Sequence, residues 1–235
     1  MRKHFVLLLL IVLPLLAQQA QAPVEITSEP SHHLMFENKT VRAFAVSVDP
    51  GKATLVHKHG KDFIAVYVGD SQLLNAKEGA QPVQASFKDG DVRFTPAGLV
   101  HAVTNTGSAP FRNATIEVLG ATTNAKACTE SCAVAIPCDS ADKSACASAN
   151  KAFASDQWTV TIVTIPAGGK YPEHTHAGPF LNVYLTEADI TAKPQKGSET
   201  KLHSKVGDIT WNEATTHTVT NTGKTTAKVA VVDFK

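Results

Sequence analysis

The chain has 235 residues, a formal net charge of +1, 43% hydrophobic residues and 18% charged residues. That is ordinary globular composition, with length for one large or two small domains. The near-neutral balance leaves no basic footprint and aromatics make up only 6%, so nucleic acid is not expected as a partner.

In chain order, the first feature is a basic start, Arg2-Lys3-His4, followed by the apolar run of residues 5–17 and the small-residue stretch Ala20-Gln21-Ala22. This is the pattern of an export signal over residues 1–22. The run is short for a membrane span and is interrupted by Pro14. The expectation is a periplasmic or extracellular protein that leaves the membrane once the signal is cut, near Ala17, Ala20 or Ala22.

From residue 23 the chain reads as β. Residues 41–48, VRAFAVSV, form a β-branched and aromatic run, and FIAVYV at 63–68 is a second. Between them, His57 and His59 flank one lysine, so on a strand both imidazoles share a face. Turns are marked by Asp49-Pro50-Gly51 and Lys88-Asp89-Gly90.

Residues 121–156 change character, becoming rich in Ala, Ser and Lys and holding every cysteine: Cys128, Cys132, Cys138 and Cys146. In an oxidising compartment this cluster is expected to form two local disulfides, with three pairings open. A structural zinc site is the alternative, but no CxxC pair is present. The segment is read as an insertion between two domains, 23–120 and 157–235.

Those two domains are copies of one unit. HKHGKDFIAVYVGD at 57–70 aligns with HTHAGPFLNVYLTE at 174–187 with an offset of 117, and Gly51 and Gly90-Asp91 map onto Gly168 and Gly207-Asp208 in the same register. HAVTNTG at 101–107 then matches HTVTNTG at 217–223 with an offset of 116, one residue having been lost between. Turns recur at Lys205-Val206-Gly207, and many short strands with regular turns indicate a sandwich or barrel.

Six of the ten histidines fall at equivalent places: His57, His59 and His101, then His174, His176 and His217. Each copy thus offers two imidazoles from one strand face and a third from a distant strand. Three neutral imidazoles on an open face suit a divalent ion such as Fe, Zn or Mn, with positions left for water or a small molecule. His32, His33 and His203 have no equivalent in the other copy and are expected at the surface.

This pattern resembles the cupin superfamily, and the duplication resembles a bicupin. The first cupin motif is matched by Gly51, His57, His59 and Gly69, and the second by Gly90, Pro96, Gly98, His101 and Asn105. The second copy keeps Gly168, His174, His176, Gly207, His217 and Asn221, but Glu213-Ala214-Thr215 replaces the Pro-x-Gly turn. The resemblance implies an all-β protein of two tandem double-stranded β-helix (jelly-roll) barrels joined by the cysteine-containing insertion. It also implies metal binding by the six histidines and a small-molecule substrate or ligand.

One departure bears on chemistry. Where the family places a glutamate ligand, this chain offers Asp62 or Phe63, and Pro179 or Phe180 in the second copy. Copy one is therefore either a three-histidine site or three histidines plus Asp62. Activities resembling the manganese chemistry of oxalate decarboxylase or germin are in doubt, whereas three-histidine iron cupins include dioxygenases. Phe63, Tyr67, Phe180, Tyr184 and Trp211 are expected to line the pockets. Copy one, with its second motif intact, is expected to be the working site.

Overall fold

The computed structural model describes residues 22–120, 122, 124–130, 132–138 and 142–235; the expected export signal, Ala22 apart, lies outside them. Among the described residues the fold is β throughout, with only two short 3₁₀ turns, Ile26–Ser28 and Lys143–Ala145. No described helix is long and apolar enough to cross a membrane.

Each copy forms a barrel from two facing sheets. In the first barrel, one sheet runs in the order His32–Glu37, Val41–Val48, Phe111–Val118, Asp62–Tyr67, Val92–Thr95. The second barrel repeats this order with Ser148–Ala154, Trp158–Ile165, Ala227–Phe234, Phe180–Tyr184, Ile209–Asn212. The opposing sheets also match: His57–Lys58, Val100–Asn105, Ser71–Lys77 and Val83–Phe87 correspond to Lys170–His176, Thr215–Asn221, Ala188–Pro194 and Thr200–Ser204.

The repeat extends further than the motifs. Strand Ser148–Ala154 lies inside the segment read as an insertion, yet it pairs with Trp158–Ile165 as an edge strand of the second barrel. It is the counterpart of His32–Glu37, at the same offset of 117. Both strands carry a bulge at the same place, between Leu34 and Phe36 and between Lys151 and Phe153. Among the described residues of the insertion, disulfides join Cys128 to Cys132 and Cys138 to Cys146, one of the three open pairings.

Strand alternation divides the side chains between two cores. Phe63, Ala65 and Tyr67 point into the first barrel with Phe44, Val46 and Phe111. Their neighbours Ile64 and Val66 point the other way and merge with Trp158, Val160, Leu181, Val183 and Val232 of the second barrel into one continuous core. These two sheets therefore pack face to face. At the rim of this interface Phe36 stacks on Trp211, ring centroids 5.1 Å apart, and Lys228 Nζ donates to the carboxylate and carbonyl of Asp89, both at 2.8 Å. The motif glycine Gly90 serves both turn and interface: its φ is +83°, and a Cβ there would stand 3.0 Å from Lys228 Nζ and 3.1 Å from Leu185.

The motif asparagines close a loop in each copy. Asn105 Nδ2 donates to the carbonyls of Val48 and Ala109, and Asn221 Nδ2 to those of Ile165 and Thr225. Their Oδ1 atoms accept from the amides of Gly107 and Gly223.

Because the shared core joins both barrels, they are expected to unfold in one cooperative transition. Trp158→Ala, at a fully buried position in that core, should cost about 3–5 kcal/mol and shift that single transition. Denaturant unfolding followed by fluorescence and circular dichroism checks this, and two separated transitions in the wild type would contradict it.

Candidate metal centres

In the first barrel the antiparallel register sets His57 directly opposite His101. Alternation keeps His57 and His59 on the inner face, their ring centroids 5.0 Å apart, and His101 lies 4.6 Å from His57 and 5.2 Å from His59. The protein fixes the tautomers of two of the three rings. His57 Nδ1 faces the Leu55 carbonyl, at 2.9 Å, and His101 Nδ1 faces Asn75 Oδ1, at 3.0 Å. Both nitrogens therefore carry protons, and both Nε2 atoms keep lone pairs directed inward.

His59 Nε2 lies 3.2 Å from His101 Nε2. His57 Nε2 and His59 Nδ1 are buried without a hydrogen-bond partner. A buried nitrogen without a partner is costly, and a cation bound at His57 Nε2 would satisfy that one. Among the described residues, the ligand atoms in this barrel that lie within 4.8 Å of one another are those of His32, His57 and His59, a set that fits a divalent metal.

The second barrel repeats the arrangement. His174 lies opposite His217 in register, with Nε2 atoms 3.0 Å apart, and donor atoms of His174, His176 and His217 lie within 4.8 Å of one another. His174 Nδ1 donates to the Pro172 carbonyl at 2.8 Å, matching His57 and Leu55. His176 Nδ1 makes a short hydrogen bond to the Asp233 carboxylate, and Ala192 stands where copy one has Asn75.

The phenylalanines at the glutamate position point inward and hold imidazoles by stacking. Phe63 lies on His59 at 4.0 Å and 19°, and Phe180 on His176 at 3.8 Å and 14°. Tyr67 lines the first cavity and Tyr184 the second.

Three expectations are corrected. Asp62 stands apart from the imidazoles: its Oδ1 accepts the Ala97 amide at 2.8 Å and so braces the Pro96-Ala97-Gly98 turn. Trp211 does not line the pocket. It pairs across the sheet with Leu181, on the face that looks into the inter-barrel core, and stacks on Phe36. His32 is not a surface residue: its side chain is 5% exposed and its ring lies 4.8 Å from His57. His33 and His203 are exposed.

Sequence reasoning also missed Glu29, bound to His32, and Asp233, bound to His176. Both lie outside the cupin motifs. Continuing the offset to both ends of the repeat would have placed Asp233 opposite Glu117, although His32 has only Ala149 as counterpart.

The cavities differ sharply. The first encloses about 90 Å³ and the second about 590 Å³. The cause is legible in the aligned copies: Phe87, Phe111 and His32 correspond to Ser204, Ala227 and Ala149. The polar Asn113 and Thr115 of the first cavity become Val229 and Val231 in the second. Copy one, expected to be the working site, has the smaller cavity of the two.

No family model and no curated protein sequence matches the chain. Solved structures do. AerE from Microcystis aeruginosa aligns with a TM-score of 0.59 and 12% identity over 88% of this chain and 98% of that one. Oxalate decarboxylase from Bacillus subtilis, in a structure concerned with its Mn(II) centres, aligns with a TM-score of 0.57 and 13% identity over 87% of this chain and 75% of that one. The fold is that of a bicupin, and each barrel carries a cluster of three histidines that could hold a metal ion.

Burial, reinforced by neighbouring imidazoles, pushes His59 down to about 2, His101 to about 3 and His217 to about 4. All three are set first by desolvation, then by the like charge that His101, His57 and His174 respectively would add. Burial also lowers His57 and His174. In the unfolded chain imidazoles titrate near 6.5, so below that pH the unfolded state binds more protons and the stability of the metal-free fold rises with pH. That stability is complete above about pH 6.5 and is lost on acidification, through about pH 4 for His217 and on towards about pH 2 for His59. The slope reaches about 1.4 kcal/mol per pH unit for each histidine. Urea denaturation of chelator-treated protein between about pH 7 and about pH 4 checks this, and an unchanged midpoint would contradict it.

Proposed function

We propose that the protein is an exported, divalent-metal-binding bicupin whose second barrel works as an Fe(II)-dependent, dioxygenase-like enzyme on a small, largely apolar organic substrate. The observation that carries this reading is the cavity of about 590 Å³ at His174, His176 and His217, within the ordinary size of small-molecule sites. Held by His174, His176 and His217, an iron ion would supply Lewis acidity and redox chemistry.

The chain's own residues do the rest. The Pro172 carbonyl and the Asp233 carboxylate orient His174 and His176, and Phe180 holds the His176 ring by stacking. Val163, Ile190, Val229 and Val231 line an apolar chamber that favours the carbon skeleton of a substrate over water. Export is supported by the apolar run of residues 5–17 and by the two disulfides. The manganese chemistry of oxalate decarboxylase is not carried over, because Phe63 and Phe180 stand at the glutamate position.

A second reading, a binding protein that captures a small apolar ligand, is favoured by one feature. Asp233 is the sole acidic side chain among the described residues lining the cavity, and it is engaged with His176. General acid–base catalysis by a free carboxylate is thus unsupported.

Protein supplied with Fe, Mn and Zn is expected to hold metal, and to consume oxygen with a member of a panel of diketones, phenolic acids and thiols. Ala227→Phe, which restores the bulk of Phe111, should cut turnover about tenfold or more (about 1.4 kcal/mol) while leaving metal content unchanged. A chain that stays metal-free sinks the proposal. Metal binding without oxygen uptake replaces it with the binding reading.

A further inference from the structure

The first barrel contains a fourth inward imidazole that belongs to neither cupin motif. His32 begins the edge strand His32–Glu37, and its ring centroid lies 4.8 Å from His57 and 6.0 Å from His59. Donor atoms of His32, His57 and His59 lie within 4.8 Å of one another. His32 is also oriented as ligands are. Its Nδ1 is 2.6 Å from Glu29 Oε2, so that nitrogen carries the proton and Nε2 is left as a lone pair. A carboxylate behind a ligating imidazole fixes the ring and raises its basicity.

Glu29 is itself built in. It is 2% exposed and accepts the amides of Ser31 at 2.8 Å and Leu55 at 3.1 Å. Leu55 in turn accepts His57 Nδ1 through its carbonyl, so one backbone unit ties both imidazoles to a single support. Glu29 thus places a carboxyl group one hydrogen bond from the cluster.

We infer that His32 is a metal ligand which, with His57, His59 and His101, completes an all-imidazole centre in the first barrel for a borderline divalent ion such as Zn(II), Cu(II) or Ni(II). The surrounding space of about 90 Å³ is far smaller than the roughly 590 Å³ of the second barrel, which suits a structural centre. Ala149 occupies the equivalent place in the second barrel, where the fourth side opens into the larger cavity. Imidazole donors select these metals over Mg(II) or Ca(II). The inference rests on metal binding by the first barrel and is independent of the chemistry proposed for the second.

The test uses the full chain with His174→Ala and His217→Ala, which confines metal to the first barrel. Loaded with Cu(II), this protein should show the electron paramagnetic resonance pattern of four nitrogen ligands, and adding His32→Ala should reduce the count to three. Affinity for Zn(II), read by competition with a chromophoric chelator, should fall about a hundredfold or more for His32→Ala and about tenfold for Glu29→Gln. X-ray absorption on the Zn(II)-loaded protein counts imidazoles with His32 intact, so the test stands even if the His32 variant fails to fold. Three imidazoles there, or a folded His32→Ala protein with unchanged Cu(II) spectrum and Zn(II) affinity, overturns the inference. A chain that takes up no metal in the first barrel overturns it as well, while leaving the reading of the second barrel intact.

Discussion

The structure depends on one packing constraint: a sheet from each barrel gives its outer face to a common dry core. Ile64, Val66, Ile116, Trp158, Val160, Leu181 and Val232 are all committed to it. Since a strand has only two faces, the remaining positions must build each barrel's interior. Phe63 and Phe180, which neighbour Ile64 and Leu181 in the chain, are thereby aimed at the imidazoles. A shift of one residue in register would exchange the core and the site.

Within that frame the duplication has allowed the two interiors to diverge. The ligand strands keep the same geometry, with His57 opposite His101 and His174 opposite His217. What changes is the filling around them. Phe87 and Phe111 occupy space in the first barrel that Ser204 and Ala227 leave free in the second. The backbone need not move for this. Loss of large side chains at fixed strand positions opens a cavity, at a cost in packing, and the shared outer core is available to carry that cost for both barrels.

Much of this was legible in the sequence because it is periodic. The tandem register, the all-β class and the paired histidine triads follow from spacing, and strands place spaced residues predictably. The disulfide pairing was not legible, since three connectivities satisfy the same spacing. His32 and Trp211 were misplaced for a related reason: burial depends on which sheet face meets which neighbour, and one strand's pattern does not contain its neighbour. His32 escaped because its counterpart is Ala149, so comparing the copies pointed away from it. The bulge shared by strands His32–Glu37 and Ser148–Ala154 was equally invisible, and with it the second barrel's edge strand inside the cysteine segment.

The same comparison explains where the missing carboxylates have gone. In the first barrel Glu117 lies opposite Arg42 in register and accepts from its guanidinium at 3.2 Å, so it is engaged away from His59. In the second, Asp233 lies opposite Thr159, which offers no cation, and its carboxylate turns to His176 instead. Two differences between the copies, Arg42 against Thr159 and Glu117 against Asp233, accompany the change from a structural ion pair to an acid held on an imidazole beside the cavity. The first barrel draws its carboxylate from elsewhere, through Glu29 and His32. In both barrels a carboxylate thus stands behind a histidine rather than in the place of a direct ligand. Of the two barrels, the larger open space lies beside His174, His176 and His217, and Val163, Ile190, Val229 and Val231 make it largely apolar.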